Sequence, residues 1–268
     1  MSSNQNNQSS PIGVYDSGSG GLSVLKELKR TLPNESFIYF GDTKRMPYGD
    51  KTPSQLMSFC LGILDYFETK NVKAVISACN TSSAAVLPNL TKAYPFEIFG
   101  MIEPTSKYVA NLNFKKVGII ATAATIKTSA YKISIEKINN NTEVIQQPCP
   151  GLVELIESNK ADSQECFSLL KSYIEPLLKQ DIQAVVLGCT HYPILESMIH
   201  EITNHKIIII NPALVVAKSV KDNLEKQNLL SPGTPKETVF YASKNPQLFE
   251  EVGRQLYSGC KNAKLLEL

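Results

Sequence analysis

Two cysteines sit in matching settings. Lys73–Thr81 reads KAVISACNT and Gln183–His191 reads QAVVLGCTH, so Cys79 and Cys189 each follow a short apolar run and open a polar turn. A thiol just past a strand and ahead of a helix meets exposed backbone N–H groups and the positive end of the helix dipole, which favour thiolate. Two thiols facing one substrate suit inversion of a carbon centre. One removes a proton from one face, the other returns a proton to the opposite face, and the roles exchange with direction. A single Cys–His nucleophile would not need the second cysteine, and a redox pair would not need the polar residues around each. The other four cysteines, Cys60, Cys149, Cys166 and Cys260, read as small buried apolar residues. No C-x-x-C pair is present, and of the three histidines (191, 200 and 205) only His191 lies near a cysteine. Metal-ligand spacing is therefore missing, and no metal is expected.

The neighbours of the two thiols are polar. Asp16 ends an apolar run and opens the turn DSGSGG, where it lies beside Cys79 or caps the following helix. Gly18, Gly20 and Gly21 do not match a dinucleotide fingerprint, so the turn reads as backbone N–H groups exposed to a small anion such as a carboxylate. His191 can hydrogen-bond a thiolate or relay a proton. Asn80, Thr81, Thr122, Thr125 and Thr190 offer hydroxyl and amide groups for carboxylate and ammonium, unless they are spent on helix caps.

The elements that must position these residues alternate in type. Strands are predicted at Pro11–Tyr15, Ser36–Phe40 and Ala74–Ser77, then at Lys116–Ala121, Glu143–Gln146, Ala184–Leu187, Ile207–Ile210 and Glu237–Tyr241. Leu22, Leu25, Leu28 and Leu32 mark one helix face, and further helices are predicted at Ser54–Thr69, Ser82–Leu90, Thr128–Ile138, Glu165–Leu178 and Pro246–Tyr257. Continuous apolar strands alternating with helices mean an α/β fold with parallel sheets covered on both faces.

A weak internal repeat runs through this pattern. Besides the two cysteine segments, Ile12–Ser17 aligns with Val117–Thr122, and Met101–Pro104 with Ile209–Pro212, all at offsets of roughly 105 to 110 residues. Three pairs in one order predict two pseudo-symmetric halves. The crossover falls near Gly100 and the return near Asn211, giving a first domain of residues 1–99 plus 212–268 and a second of 100–211. The active site is expected in the cleft between them, where ligands meet the carboxyl ends of strands.

Composition narrows the class. Hydrophobic residues make up 43% of the 268 and charged residues 19%, which supports a buried core and excludes disorder as the dominant state. The net charge of +2 gives no basic footprint, so no nucleic acid is expected as a partner. No apolar stretch is long enough for a bilayer and Met1–Ser10 does not read as a secretory signal, so no membrane is expected and the location is read as cytoplasmic.

With these residues in hand the chain resembles the glutamate racemase family, within the cofactor-independent aspartate/glutamate racemase superfamily. The resemblance covers almost everything after Ser10. Its segments are Gly13–Leu22, Tyr39–Thr43 with Pro47–Gly49, Ala78–Thr81, and Leu187–Pro193. It implies Cys79 and Cys189 as the acid/base thiols, Asp16 assisting Cys79, and His191 with Glu154 assisting Cys189. It also implies substrate contacts from Asp16, Ser17, Tyr48, Gly49, Asn80, Thr81, Thr122, Thr125, Thr190 and His191. Glutamate is the implied substrate, no cofactor is implied, and the family's D-glutamate enters peptidoglycan. The assignment of the C-terminal segment to the first domain also leans on the family. A homodimer is compatible with this reading and nothing in the sequence requires one. The chain departs from many relatives at Asn211-Pro212, where they carry Asp-Ser, and at Ser243–Asn245, where Gly-Asp is usual. The competing readings are a racemase of aspartate or another small amino acid, and a catalytically dead amino-acid-binding module.

Overall fold

The computed structural model describes residues 7–90 and 94–268. The chain divides into two compact units, one made by the residues up to Met101 with Ala213–Leu268, the other by Ile102–Pro212. The first unit opens with β1 (Ile12–Asp16), α1 (Leu22–Thr31), β2 (Phe37–Gly41), α2 (Pro53–Thr69), β3 (Ala74–Ser77), α3 (Asn80–Ala85) and β4 (Glu97–Phe99). The second runs through α4 (Ile102–Asn111), β5 (Lys116–Ala121), α5 (Ala123–Thr128), α6 (Ala130–Ile138), β6 (Glu143–Pro148), α7 (Leu152–Glu157), α8 (Gln164–Leu178), β7 (Ala184–Gly188), α9 (Glu196–Thr203) and β8 (Ile208–Ile210). The chain then returns to the first unit with α10 (Pro212–Lys226), β9 (Val239–Ala242), α11 (Pro246–Leu256) and β10 (Lys264–Leu265).

Each unit is built on a parallel sheet, ordered β10-β9-β2-β1-β3-β4 in the first and β6-β5-β7-β8 in the second. The central strands β1, β3 and β7 are buried along their whole length, as strands covered on both faces must be. The order β2-β1-β3-β4 recurs as β6-β5-β7-β8, which is the duplication expected from the repeat. Register bears out two of its three pairs: Ile12 faces Ala74 as Val117 faces Ala184. The third pair is out of phase. Ala74 faces Glu97 and Ala184 faces Ile208, so Met101 corresponds to Pro212 and not to Ile209. The shared Ile-x-Pro spelling misled, because Pro104 stands inside α4 while Pro212 opens α10.

Local chemistry explains most element ends. Thr52 caps α2 in a reciprocal pair with Gln55, and Pro53 occupies the first helical position, where a missing N–H costs nothing. The helix predicted over Ser82–Leu90 is shorter, ending at Ala85 before a 3-10 turn at Leu87–Asn89, because Pro88 cannot continue the hydrogen-bond ladder. The helix predicted over Thr128–Ile138 is α6, which starts after Ser129, whose φ of 53° is left-handed, and the short α5 just before it was not predicted. Helix α10 was not anticipated, although Ala213, Val216, Ala217, Val220 and Leu224 follow helical spacing and are buried in the first unit's core. Among the described residues no helix is long and apolar enough to cross a membrane.

Candidate active site

In the first unit, parallel pairing sets Tyr15 of β1 opposite Ser77 of β3, so the chain leaves both strands side by side and Asp16 and Cys79 follow within two residues. Gly21 seals this arrangement: a Cβ there would stand 2.5 Å from the Asp16 Cβ and 3.1 Å from the Ala78 Cβ. Asp16 is fully buried, and one of its carboxylate oxygens accepts a hydrogen bond from the Gly18 N–H at 3.0 Å. It does not cap α1, whose N-cap position is Gly21. The Gly-rich turn thus folds back on the aspartate that opens it. Cys79 occupies the N-cap position of α3, with its carbonyl accepting from the Ser83 N–H, and the residue is 6% exposed. Asn80 and Thr81 form the first turn of that helix, and both are buried. Ser17 is buried beside Asp16 in sequence, and Tyr48 begins the 3-10 turn Tyr48–Asp50, which contains Gly49 and packs against α3. All the residues expected on the Cys79 side therefore belong to this unit.

In the second unit the same pairing sets Ala121 of β5 opposite Gly188 of β7, so Thr122 and Cys189 leave adjacent strand ends. Gly188 is needed there, since a Cβ would lie 2.9 Å from both the Ala121 Cβ and the Ile120 carbonyl oxygen. Thr122 caps α5 by accepting from the Thr125 N–H at 3.3 Å, and the two hydroxyls lie 3.0 Å apart. The chain after Cys189 makes a turn through Thr190 and His191 before the 3-10 turn Tyr192–Leu195. The Cys189 thiol lies 3.9 Å from His191 Nδ1, and His191 Nε2 lies 2.6 Å from a Glu157 carboxylate oxygen.

That last contact corrects the sequence reading, which put Glu154 behind His191. Glu154 is exposed, and the carboxylate on the imidazole is Glu157, the final residue of α7. Helix α7 starts after Gly151 and turns Leu152 and Ile156 inward, leaving Glu157 next to a buried residue at the helix end that meets the histidine. Both acids stand in the segment GLVELIE, and only the phase of a short helix separates them. Burial opposes a charged His191, but its bonds to Cys189 and Glu157 outweigh that and hold its pKa well above the usual histidine value. The shift favours the protonated ring beside the Cys189 thiol.

The remaining cysteines behave as expected of buried apolar residues. Burial pushes the Cys60 thiol up to about 11 and Cys260 up to about 12, and it raises Cys149 and Cys166 as well. All four stay protonated, and none follows the end of β3 or β7.

The sequence profile of the Asp/Glu/Hydantoin racemase family matches residues 12–220. The chain belongs to this family. As an amino-acid racemase it is an isomerase. It is similar to the glutamate racemase of Trichormus variabilis, 42% identical over 251 residues that cover 94% of this chain and 86% of the relative. The glutamate racemase of Pseudomonas syringae is 38% identical, with 90% and 88% covered. Among solved structures, a glutamate racemase isoform of Bacillus anthracis matches with a TM-score of 0.93 at 32% identity, over 98% of this chain and 99% of that one. The Francisella tularensis glutamate racemase, solved in complex with D-glutamate, matches at 0.91 and 35%, over 97% and 98%. The racemase has its two strand-end thiols in equivalent positions of a duplicated fold, each with a different polar escort.

Proposed function

We propose that this racemase interconverts L-glutamate and D-glutamate by two-base proton transfer, with no metal or organic cofactor. The observation that carries the proposal is the equivalence of Cys79 and Cys189, one at the end of β3 and the other at the end of β7. One thiolate takes the Cα proton and the other thiol donates its proton to the opposite face, leaving the enantiomer and two thiols whose protonation states have exchanged. By resemblance Cys79 takes the proton from D-glutamate and Cys189 takes it from L-glutamate. Asp16 accepts hydrogen bonds on the first side. On the second, the His191 imidazolium holds the Cys189 thiolate, and Glu157 orients the ring by its bond to Nε2.

The Cα proton is weakly acidic, so the carbanion must be stabilised while it exists. Fixed dipoles around the substrate carboxylate do this without reorganising. Buried Asn80 and Thr81, at the start of α3, and Thr190 are suited to that role. Resemblance to named glutamate racemases favours glutamate over aspartate as substrate, and it implies a cytoplasmic enzyme whose D-glutamate serves peptidoglycan.

The test is solvent deuterium. Enzyme dialysed against a chelator and treated with a carbonyl reagent is incubated in D2O with each glutamate enantiomer. Deuterium at Cα and the appearance of the opposite enantiomer are expected for both. Activity lost on dialysis and restored by metal would overturn the cofactor-free mechanism, and faster turnover of L-aspartate would overturn the substrate.

A further inference from the structure

The turn that carries Tyr48 and Gly49 hangs from one buried carboxylate. Asp42, one residue beyond β2, is fully buried. One of its oxygens accepts the Tyr48 hydroxyl at 2.6 Å and pairs with Arg45 Nε at 2.7 Å, and the other accepts the Ser243 hydroxyl at 2.8 Å. Ser243 stands one residue beyond β9, the strand that pairs with β2. Its hydroxyl oxygen also accepts the Lys44 N–H at 2.8 Å, and its own N–H donates to the Gly41 carbonyl at 3.0 Å. Thr43 and Lys244 add a reciprocal pair, the Thr43 hydroxyl donating to the Lys244 carbonyl at 2.6 Å and accepting the Lys244 N–H at 2.9 Å. The Asp42–Tyr48 loop is thus stitched along its start to a loop from the far end of the chain. Its other end packs against α3, the helix that Cys79 caps, and Tyr48 shares an apolar cluster with Cys79. The Tyr48 hydroxyl is committed to Asp42, so it anchors the turn. Ser243 lies outside the residues matched by the family profile, which end at 220.

We propose that Ser243, acting through Asp42, is a positioning residue that holds the Tyr48–Gly49 turn in place and thereby sets the affinity for glutamate. The inference rests on the reading of the Cys79 half-site as a glutamate site. The stitch touches no reacting atom. Weakening it lowers the fraction of enzyme whose turn is in the binding-competent position, which raises the apparent dissociation constant in inverse proportion and leaves bound enzyme to turn over normally. Losing one buried hydrogen bond to a carboxylate shifts the equilibrium between held and released turn by roughly ten- to a hundredfold, of which about three- to tenfold reaches the fraction when the held form is well populated at the start.

The experiment compares Ser243→Ala, Ser243→Thr and Tyr48→Phe with the wild-type enzyme. KM for both enantiomers is expected to rise about three- to tenfold in Ser243→Ala, with kcat within about twofold, and in Tyr48→Phe by at least as much, and Ser243→Thr should restore KM because it keeps the hydroxyl. Hydrogen exchange is followed on the same proteins without substrate. The amides of Tyr48–Lys51 should exchange faster in Ser243→Ala and Tyr48→Phe, with α8 of the second unit unchanged. Unchanged exchange at the turn would overturn the anchoring role. Faster exchange with an unchanged KM, or a fall confined to kcat, would overturn the claim on affinity. A wild-type enzyme that does not racemise glutamate would defeat the proposed function instead, while the exchange measurement would still decide whether Ser243 holds the turn.

Discussion

The two units repeat one strand order and end their equivalent strands in a thiol, yet they escort it differently. Cys79 stands at the N-cap position of α3, with a buried carboxylate, Asp16, ending the adjacent strand. Cys189 enters a turn first and is met by His191, whose ring is itself held by Glu157. The contrast extends to the opposite end of the same strands. Lys73 and Gln183 precede β3 and β7 in equivalent positions, their N–H groups donating to Pro11 and Lys116. Lys73 forms a buried ion pair with Glu35 at 2.5 Å and also donates to the Gln8 and Leu229 carbonyls at 2.7 Å. Gln183 is exposed, its amide oxygen accepting from the Lys115 N–H at 2.5 Å. Duplication has preserved the backbone register, and the chemistry at both ends of the strands has diverged.

The sharpest way to break this comparison is to remove each thiol. Cys79→Ala and Cys189→Ala should each lower racemisation by about a thousandfold or more, since a proton donor or acceptor is lost on one face. The serine variants sharpen it. Cys189→Ser should lose deuterium exchange at Cα of L-glutamate more than of D-glutamate, and Cys79→Ser the reverse. Equal losses for both enantiomers would show that the faces are not divided in this way.

Next in size is the ion pair. Lys73→Ala leaves Glu35 charged and buried, so unfolding should become easier by about 3–5 kcal/mol. Gln183→Ala, at the equivalent but exposed position, should cost less than about 1 kcal/mol. Denaturant titrations of the two variants read the difference, and similar values would mean that the buried pair contributes nothing special.

The smallest effects distinguish the two acids of α7. Glu157→Gln removes one of the influences that hold the His191 pKa up, so the alkaline limb that depends on protonated His191 should move to lower pH. The rate should fall by about tenfold, whereas exposed Glu154→Gln should stay within about twofold. The sign for stability follows the same shift. A raised folded value means that the charged ring's contribution is full below the unfolded value near 6.5 and is lost as pH rises through the folded one. In Glu157→Gln that loss should begin at lower pH. A pH–rate profile identical to wild type would remove Glu157 from the relay.

These contrasts differ in how far the sequence reveals them. The thiols, Asp16 and His191 were legible because each stands beside an apolar run whose end is sharp: AVIS before Cys79, AVVLG before Cys189, IGVYD ending in Asp16. Parallel strands place such ends along one edge of a sheet, so strand recognition carries the site with it. Glu157 was not legible, because Glu154 lies three residues away and chain order does not reveal which acid reaches a histidine from another element. Helix α5 was hidden for another reason: it spans only six residues, too few to show a period, and the left-handed residue that ends it is a serine, without the mark that glycine or asparagine would leave. Asp42 and Ser243 are 201 residues apart, and their hydrogen bond exists only because β9 lies beside β2.

The first unit is assembled from two separated stretches of chain, with the second inserted between them, and this has a consequence for biosynthesis. As a ribosome releases the polypeptide, Ile102–Pro212 emerges whole and can close its own core before the segment from Ala213 onward exists. The earlier stretch must wait. Leu25, Leu28, Phe37 and Tyr39 meet Val216, Val220 and Phe240 in one cluster, so until α10 and β9 arrive that cluster lacks part of its cover. At that point the half bearing His191 has all of its residues, while the half bearing Asp16 still lacks part of its core. A premature stop near Pro212 would leave it there, as a client for chaperones and proteases.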